Sequence, residues 1–448
     1  MHIFEYPELV FTQLALLVIS GIWLLRRNDE IPLLISTFLF YVSSFRYGVV
    51  TSGLGRWINT SSRIGLGAIT KEDALTALSY IILGQICFLA TYMWKQRQAI
   101  PVTVPFGEPF FFRWLRPKLI LFGLFCLPLI LLTRSSVITQ LRSGRSLAFE
   151  ISGYLYLFPL VLVGVAVMLV CLWKFGGLPS AISKIVAVFI LIGVVDFTFG
   201  PTRRFQFLGW LIASAVILSC SYRPKARLIL LSALAILCLG LFALAGVMRN
   251  PEVTDVVLNQ ATLERAYSAE DANMLDGFVM VKRVYPHHLD FRWGMEHLEI
   301  LLRPIPRAWW PEKPVGGGYA SQFGLVNSSK GSTLGISPSL FGSFYAEGGI
   351  IGILGFSVLY GAIVAAIVRC STRIQPFAGV MIRAILSASL VPLLRGGDLA
   401  GIYAWIGMAF WPCFLLLWIK RAYFKQKFSL QTIVEMSTDM SLTKLPYD

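Results

Sequence analysis

The chain has 448 residues, of which 56% are hydrophobic and only 14% are charged, with a formal net charge of +15. A soluble domain carries roughly 25% charged residues to cover its surface. A water-soluble enzyme is therefore excluded, and the solvent of this chain is largely lipid. The positive charge would suit nucleic acid on a soluble protein. Here the cations sit in short connections between apolar runs, and no nucleic-acid partner is expected.

The first apolar run, 9–25, has no Lys or Arg before it and is followed by Arg26 and Arg27. A cleavable signal has the opposite charge order and a small-residue cleavage site, so a retained first helix is expected. Further runs lie at 31–49, 74–94, 118–133, 152–173, 182–199, 205–222 and 228–247. After a long interruption they resume at 339–368, 376–394 and 398–419. A helix satisfies its own backbone groups in hydrocarbon, and the fold expected is all-α, a polytopic transmembrane protein of about eleven spans. With the N-terminus outside, Arg26 and Arg27, Lys95 and Arg97, Lys174 and Lys184, Arg223, Lys225 and Arg227, and Arg369 and Arg373 all fall in cytoplasmic loops, as the positive-inside rule requires. The organisation predicted is spans one to eight in 1–248, a large extracytoplasmic loop in 249–338, the last three spans in 339–424, and a cytoplasmic tail in 425–448. A connection as long as 249–338 suggests a functional loop or cap.

All seven cysteines lie in apolar runs, as small packing residues would, and neither a disulfide framework nor a metal-ligand spacing is visible. No phosphate-cradling loop, dinucleotide fingerprint or serine-hydrolase elbow occurs. No metal and no cofactor are expected.

The chemistry-bearing residues sit on the outer side of this topology, which is rich in arginine and poor in lysine. Short outer loops ordinarily avoid positive charge, so arginines kept there need an offsetting partner. Guanidinium grips phosphate or carboxylate oxygens bidentately, where lysine offers a point charge. Three places stand out. Gly200-Pro201-Thr202-Arg203-Arg204 forms a very short turn between two spans, with Asp196 shortly before it. Arg395-Gly396-Gly397-Asp398 forms another between the last two spans. In each, a phosphate contact competes with an internal arginine–aspartate pair. The long loop supplies Arg283 and the stretch Arg303-Pro304-Ile305-Pro306-Arg307-Ala308-Trp309-Trp310-Pro311-Glu312-Lys313-Pro314. Its cations punctuate two tryptophans that either stack on sugar or anchor at the interface. For a general base the candidates are His287, His288, Asp290 and Glu296, all in the same loop. Arg383, inside the tenth run, is the one deep charge, at a depth from which it can snorkel.

These features resemble the bacterial O-antigen and oligosaccharide repeat-unit polymerases of the Wzy type, polytopic glycosyltransferases of the broad GT-C class. The resemblance rests on Gly294 ahead of Ile305-Pro306-Arg307-Ala308-Trp309-Trp310-Pro311-Glu312-Lys313-Pro314, then on Ser337-Pro338-Ser339-Leu340-Phe341-Gly342 running into Tyr345-Ala346-Glu347-Gly348-Gly349-Ile350-Ile351-Gly352, and on the two arginine turns. Arg142 and Gly153, Arg283 and Gly294, and Arg307 and Gly318 also share an Arg-x10-Gly spacing described for the family. The resemblance implies an enzyme of the bacterial inner membrane. It joins repeat units carried on undecaprenyl diphosphate at the outer leaflet, with a chain-length regulator and a flippase as pathway partners. It also implies that Arg203, Arg204, Arg303, Arg307 and Arg395 meet the carrier diphosphate without a metal. Two rivals remain at this stage. An O-antigen ligase does the same chemistry on another acceptor. A flippase or transporter would want polar groups in mid-membrane, whereas the ionisable residues here lie mostly at the outer rim.

Overall fold

A computed structural model describes residues 7–58, 65–97, 109–128, 130, 158–199, 204–247, 273–302, 305, 309–310, 326–327, 332–333, 337–421 and 424. Among these the fold is helical apart from a two-residue antiparallel pairing of β1 (Val326–Asn327) with β2 (Ser332–Thr333). The helices are α1 (Pro7–Arg27), α2 (Ile31–Phe40), a π-helical turn (Tyr41–Phe45), α3 (Arg46–Thr51), α4 (Lys71–Gln96), α5 (Pro109–Cys126) and α6 (Val161–Lys174). They continue as α7 (Ala181–Thr198), α8 (Arg204–Ser219), α9 (Pro224–Val247), α10 (Met274–Val284), α11 (Met295–Leu302), α12 (Ser339–Thr372), α13 (Pro376–Arg395) and α14 (Leu399–Ile419). Seven helical segments are long and apolar enough to cross a membrane: α1, the α2–α3 unit, α4, α7, α12, α13 and α14. The chain is an all-helical, multi-pass membrane protein.

Side-chain packing divides the interior into two clusters. One joins α2 to α4 with α10 and α12; the other joins α5 to α8 with α14. Helix α13 belongs to both, giving Met381, Ala384 and Ala388 to the second and Leu386, Leu390 and Leu394 to the first. Helix α6 is buried on every side from Val161 to Leu172, as its unbroken apolar sequence requires of a helix without a polar face. Where α4 crosses α12, Gly361 lets the backbones meet: a Cβ there would lie 2.6 Å from the carbonyl oxygen of Phe88. Small residues allow this approach between membrane helices, where packing drives association.

Polar contacts gather at two opposite ends. At the basic end, Arg227 and Arg383 both reach Glu30, at 2.8 and 2.5 Å, and Arg383 also reaches Asp29 at 3.3 Å. Tyr92 and Trp23 donate to Asp29 as well. Arg383, placed by sequence where snorkelling was open to it, is instead 16% exposed in its side chain and locked to two carboxylates. At the other end, Arg46 and Asp276 are both 0% exposed and pair bidentately at 2.9 and 3.1 Å. Asp276 also accepts from the Ile58 N–H, and Arg46 donates to the Arg56 carbonyl. This pair ties α10 into the bundle. Within the segment expected as an external cap, α10 is thus packed on α4 and α12, with Met274–Val281 buried.

Between the ends runs a chain of uncharged polar groups. Gln13 donates to Gln85 at 2.9 Å and exchanges hydrogen bonds with Ser43; Gln85 donates to Ser36, which meets Ser20 at 2.8 Å. Every member is buried. Such contacts hold membrane helices together without net charge.

Candidate functional site

The end that carries α10 and α11 also gathers the termini of α8, α12, α13 and α14. The Arg395 turn is built on the start of α12. Gly396 has φ +67, and a Cβ on it would fall 2.2 Å from the Ser339 carbonyl oxygen. Only glycine fits so close an approach. The Gly397 N–H donates to Ser343 Oγ at 3.1 Å, and Asp398 caps α14 by accepting from the Gly401 N–H. Of the two alternatives the sequence left open here, a phosphate contact and an Arg395–Asp398 pair, neither is tested by this cap, which gives Asp398 a role of its own at the start of α14. Arg395 itself is half-buried at the last position of α13.

Helices α8 and α13 pack together: a Cβ at Gly209 would stand 3.3 Å from the Ala388 carbonyl oxygen and Leu208 clusters with Val391, a register in which the two run in opposite directions. At 1.5 Å per residue, Arg204 begins α8 about 7.5 Å beyond this contact and Arg395 ends α13 about 10.5 Å beyond it, toward the same end. The Arg204 start of α8 and the Arg395 turn, far apart in sequence, therefore share one rim of the bundle. The Arg203 side of the first turn lies outside the described residues, as do Arg303, Arg307 and Lys313.

The second component is a set of carboxylates at helix starts. Glu347, on α12, accepts from the Gly294 N–H and, at 2.9 Å, from the Glu296 N–H, so it caps α11. The chain can do this because α12 breaks at Gly348 and Gly349. Gly349 has φ +61, and the rings of Trp293 and Phe291 pack onto the two glycines. Glu296, in the first turn of α11, accepts from the Leu399 N–H at 3.1 Å and so caps α14 four residues after Arg395. Its side chain is 4% exposed, with Arg292 at 3.8 Å. Burial is the main cause that lifts the Glu296 carboxyl to about 8, opposed by the Leu399 N–H and Arg292 and assisted by Glu347.

Next to it, His297 Nε2 lies 3.2 Å from the Tyr360 hydroxyl, which receives a further hydrogen bond from Tyr403. Its ring stacks on Phe356 with centroids 4.2 Å apart. Burial, with Arg292 nearby, lowers this histidine to about 4 and keeps it neutral. Of the four sequence candidates for a base, the structure brings only Glu296 into this layer; His287, His288 and Asp290 are exposed. Arg283 is occupied elsewhere, donating to the carbonyls of Leu66, Gly67 and Ala68 and pairing with Asp73 at 2.5 Å. Trp309 and Trp310 are exposed, Trp309 at 81%. No group of three or more metal-ligating side chains occurs among the described residues. Tyr360 and Tyr403 were not singled out by sequence, and Glu347 entered only as part of the resemblance motif, although an acid inside an otherwise apolar run was a usable signal for it.

The Glu296 carboxyl makes stability depend on pH. It titrates near 4.5 when unfolded and at about 8 when folded. Between these values the folded state binds a proton that the unfolded chain lacks. Its contribution is therefore complete below about 4.5 and is lost as pH rises through about 8, on the order of 3–5 kcal/mol in all. Glu296→Gln keeps an acceptor for the Leu399 N–H but cannot ionise. Thermal unfolding in detergent at pH 5 and pH 8.5 is expected to show a smaller loss for the variant than for the wild type; equal losses would contradict the buried carboxyl.

Comparison of the chain with protein-family models, with curated proteins and with solved structures found no match.

Proposed function

We propose that this protein is a polysaccharide polymerase of the bacterial inner membrane, a metal-independent glycosyltransferase that joins oligosaccharide repeat units carried on undecaprenyl diphosphate. In this reading the chain crosses the bilayer about eleven times, with its N-terminus periplasmic, its basic end and tail cytoplasmic, and the rim of α8, α13 and α14 at the outer leaflet. The observation that carries it is the meeting, on one rim, of the Arg204 and Arg395 helix ends with a buried carboxyl poised near neutrality. Arginines there offset the diphosphate of a carrier that arrives within the membrane plane.

The reaction needs two services from the protein. A hydroxyl of the acceptor repeat attacks the anomeric carbon of the donor sugar, and the carbon–oxygen bond to the diphosphate breaks. The lipid diphosphate leaves with the electron pair, and guanidinium groups of Arg203, Arg204 and Arg395 stabilise the charge that grows on it. Glu296, ionised as pH approaches 8, takes the proton of the attacking hydroxyl. Glu347 and Arg292 act as positioning residues that hold Glu296. Arg303 and Arg307 belong to the same diphosphate set, Trp309, Trp310 and Lys313 are assigned to binding the glycan, and a flippase and a chain-length regulator act before and beside this step.

The test in cells is the state of the carrier when the gene is removed. A polymerase leaves single repeats on the lipid. Long chains remaining on the lipid would point to a ligase, and loss of outer-leaflet repeats altogether to a flippase.

A further inference from the structure

Below the arginine rim lies a cavity of about 480 Å³ between α1, α2, α8 and α9. Its walls are apolar, among them Leu17, Leu34, Phe38, Ile212 and Leu231, and Glu30 is its one charged lining residue. That carboxylate is already held by Arg227 and Arg383, so the cavity offers no ion site. Along α9 the lining runs from Leu228 to Cys238, about 15 Å at 1.5 Å per residue. That length is about half of the ~30 Å hydrocarbon thickness.

Its position relative to the arginines gives it meaning. Leu208 and Val391 both line it. Leu208 lies one helical turn after Arg204, and Val391 one turn before Arg395, so each wall residue shares a helix face with the arginine beyond it. An apolar space that reaches to within one helical turn of two cationic helix ends is complementary to a lipid with an anionic head and a long chain.

We infer that the cavity between α1, α2, α8 and α9 holds the first part of the hydrocarbon chain of a diphosphate-headed lipid whose head lies at the Arg204–Arg395 rim. This rests on the proposed function and adds to it the place where the chain of the carrier is held. Burial of the chain contributes roughly 0.8 kcal/mol per CH₂, which makes the groove a device for selecting long chains over short ones. The diphosphate alone is recognised at the rim.

Gly21 provides the test, because it lines the cavity and a Cβ added there would meet no heavy atom within 4 Å. Gly21→Phe therefore fills the groove with little disturbance of the helix. Binding of two synthetic probes to the full chain in nanodiscs would be measured: a long-chain polyprenyl diphosphate and its analogue with a ten-carbon chain. The wild type is expected to prefer the long chain. Gly21→Phe is expected to weaken the long probe at least tenfold and the short probe less than twofold. Equal effects on both probes, or none, would overturn the groove, including the case in which another segment of this chain or a second copy already fills it. Displacement of the long probe by an equal concentration of diacyl phospholipid would also overturn it, by making the site a general lipid cleft. Arg395→Ala separates the two ideas, because loss of both probes supports the rim. Unchanged binding in Arg395→Ala, with the long probe still lost in Gly21→Phe, would remove the rim and keep the groove.

Discussion

Replacing Arg395 by alanine is expected to lower polymerisation about 100- to 1,000-fold while the protein still inserts into the membrane. The turn that holds this residue is fixed by its neighbours, Gly396 against Ser339 and Gly397 on Ser343, so losing the guanidinium leaves the backbone in place. Its charge meets the diphosphate of the bound carrier and gains most as the sugar–oxygen bond breaks, so its loss appears in binding and, more strongly, in the rate of the chemical step. Arg395→Lys is expected to recover a minor part of the activity, because an ammonium keeps the charge and loses the bidentate geometry. Arg203→Ala and Arg204→Ala are expected to behave like Arg395→Ala. The readout is the length distribution of lipid-linked glycan, with membrane abundance and thermal midpoint measured alongside. Full activity in all three alanine variants would remove the arginines from the mechanism, and a lowered midpoint would make them structural.

The largest effect on stability is expected at Arg46. Its guanidinium and the Asp276 carboxylate are sealed from solvent and satisfy each other bidentately. Removing one partner strands a buried charge, which costs about 3–5 kcal/mol. Arg46→Ala is therefore expected to unfold in detergent at a clearly lower temperature and to release α10 to proteolysis. Replacing both partners with apolar residues of similar size, Arg46→Met with Asp276→Leu, removes the stranded charge and is expected to recover most of the loss. The remaining deficit comes from the Ile58 N–H and the Arg56 carbonyl, which lose their partners. A single variant as stable as the wild type would contradict the buried pair.

What was legible in the sequence follows from how far each interaction reaches. The helices were readable because each apolar run reports its own solvent, and the run at 376–394 became α13 (Pro376–Arg395) almost residue for residue. The Arg395 turn was readable as a turn because two glycines mark it locally, while residues 200–203 of the other lie outside the described residues. What each charge touches was not readable, because the partners are remote in sequence. Asp276 meets Arg46 across 230 positions, and Arg383 meets Glu30 across 353. Arg283 looked like a member of the phosphate set and is spent on the loop before α4. The buried Gln13–Gln85–Ser36 chain escaped notice because single uncharged residues barely alter the hydropathy of a run. It also bears on the transporter reading, since mid-bundle polar groups do exist, but those hydrogen bonds join helices to one another and carry no ionisable side chain. Glu296 was one of four possible bases by composition, and only the tertiary contact with α14 distinguishes it from exposed His287, His288 and Asp290.

The central claim is that this membrane protein polymerises lipid-linked repeats, and the most direct measurement supplies the purified, reconstituted protein with one defined undecaprenyl-diphosphate-linked repeat unit and nothing else. The expected result is a ladder of products that grow by whole repeats, with one lipid diphosphate released for each bond formed and no dependence on added metal. A single transfer to a different acceptor, passage of the intact substrate across the bilayer, or an unchanged substrate would contradict it.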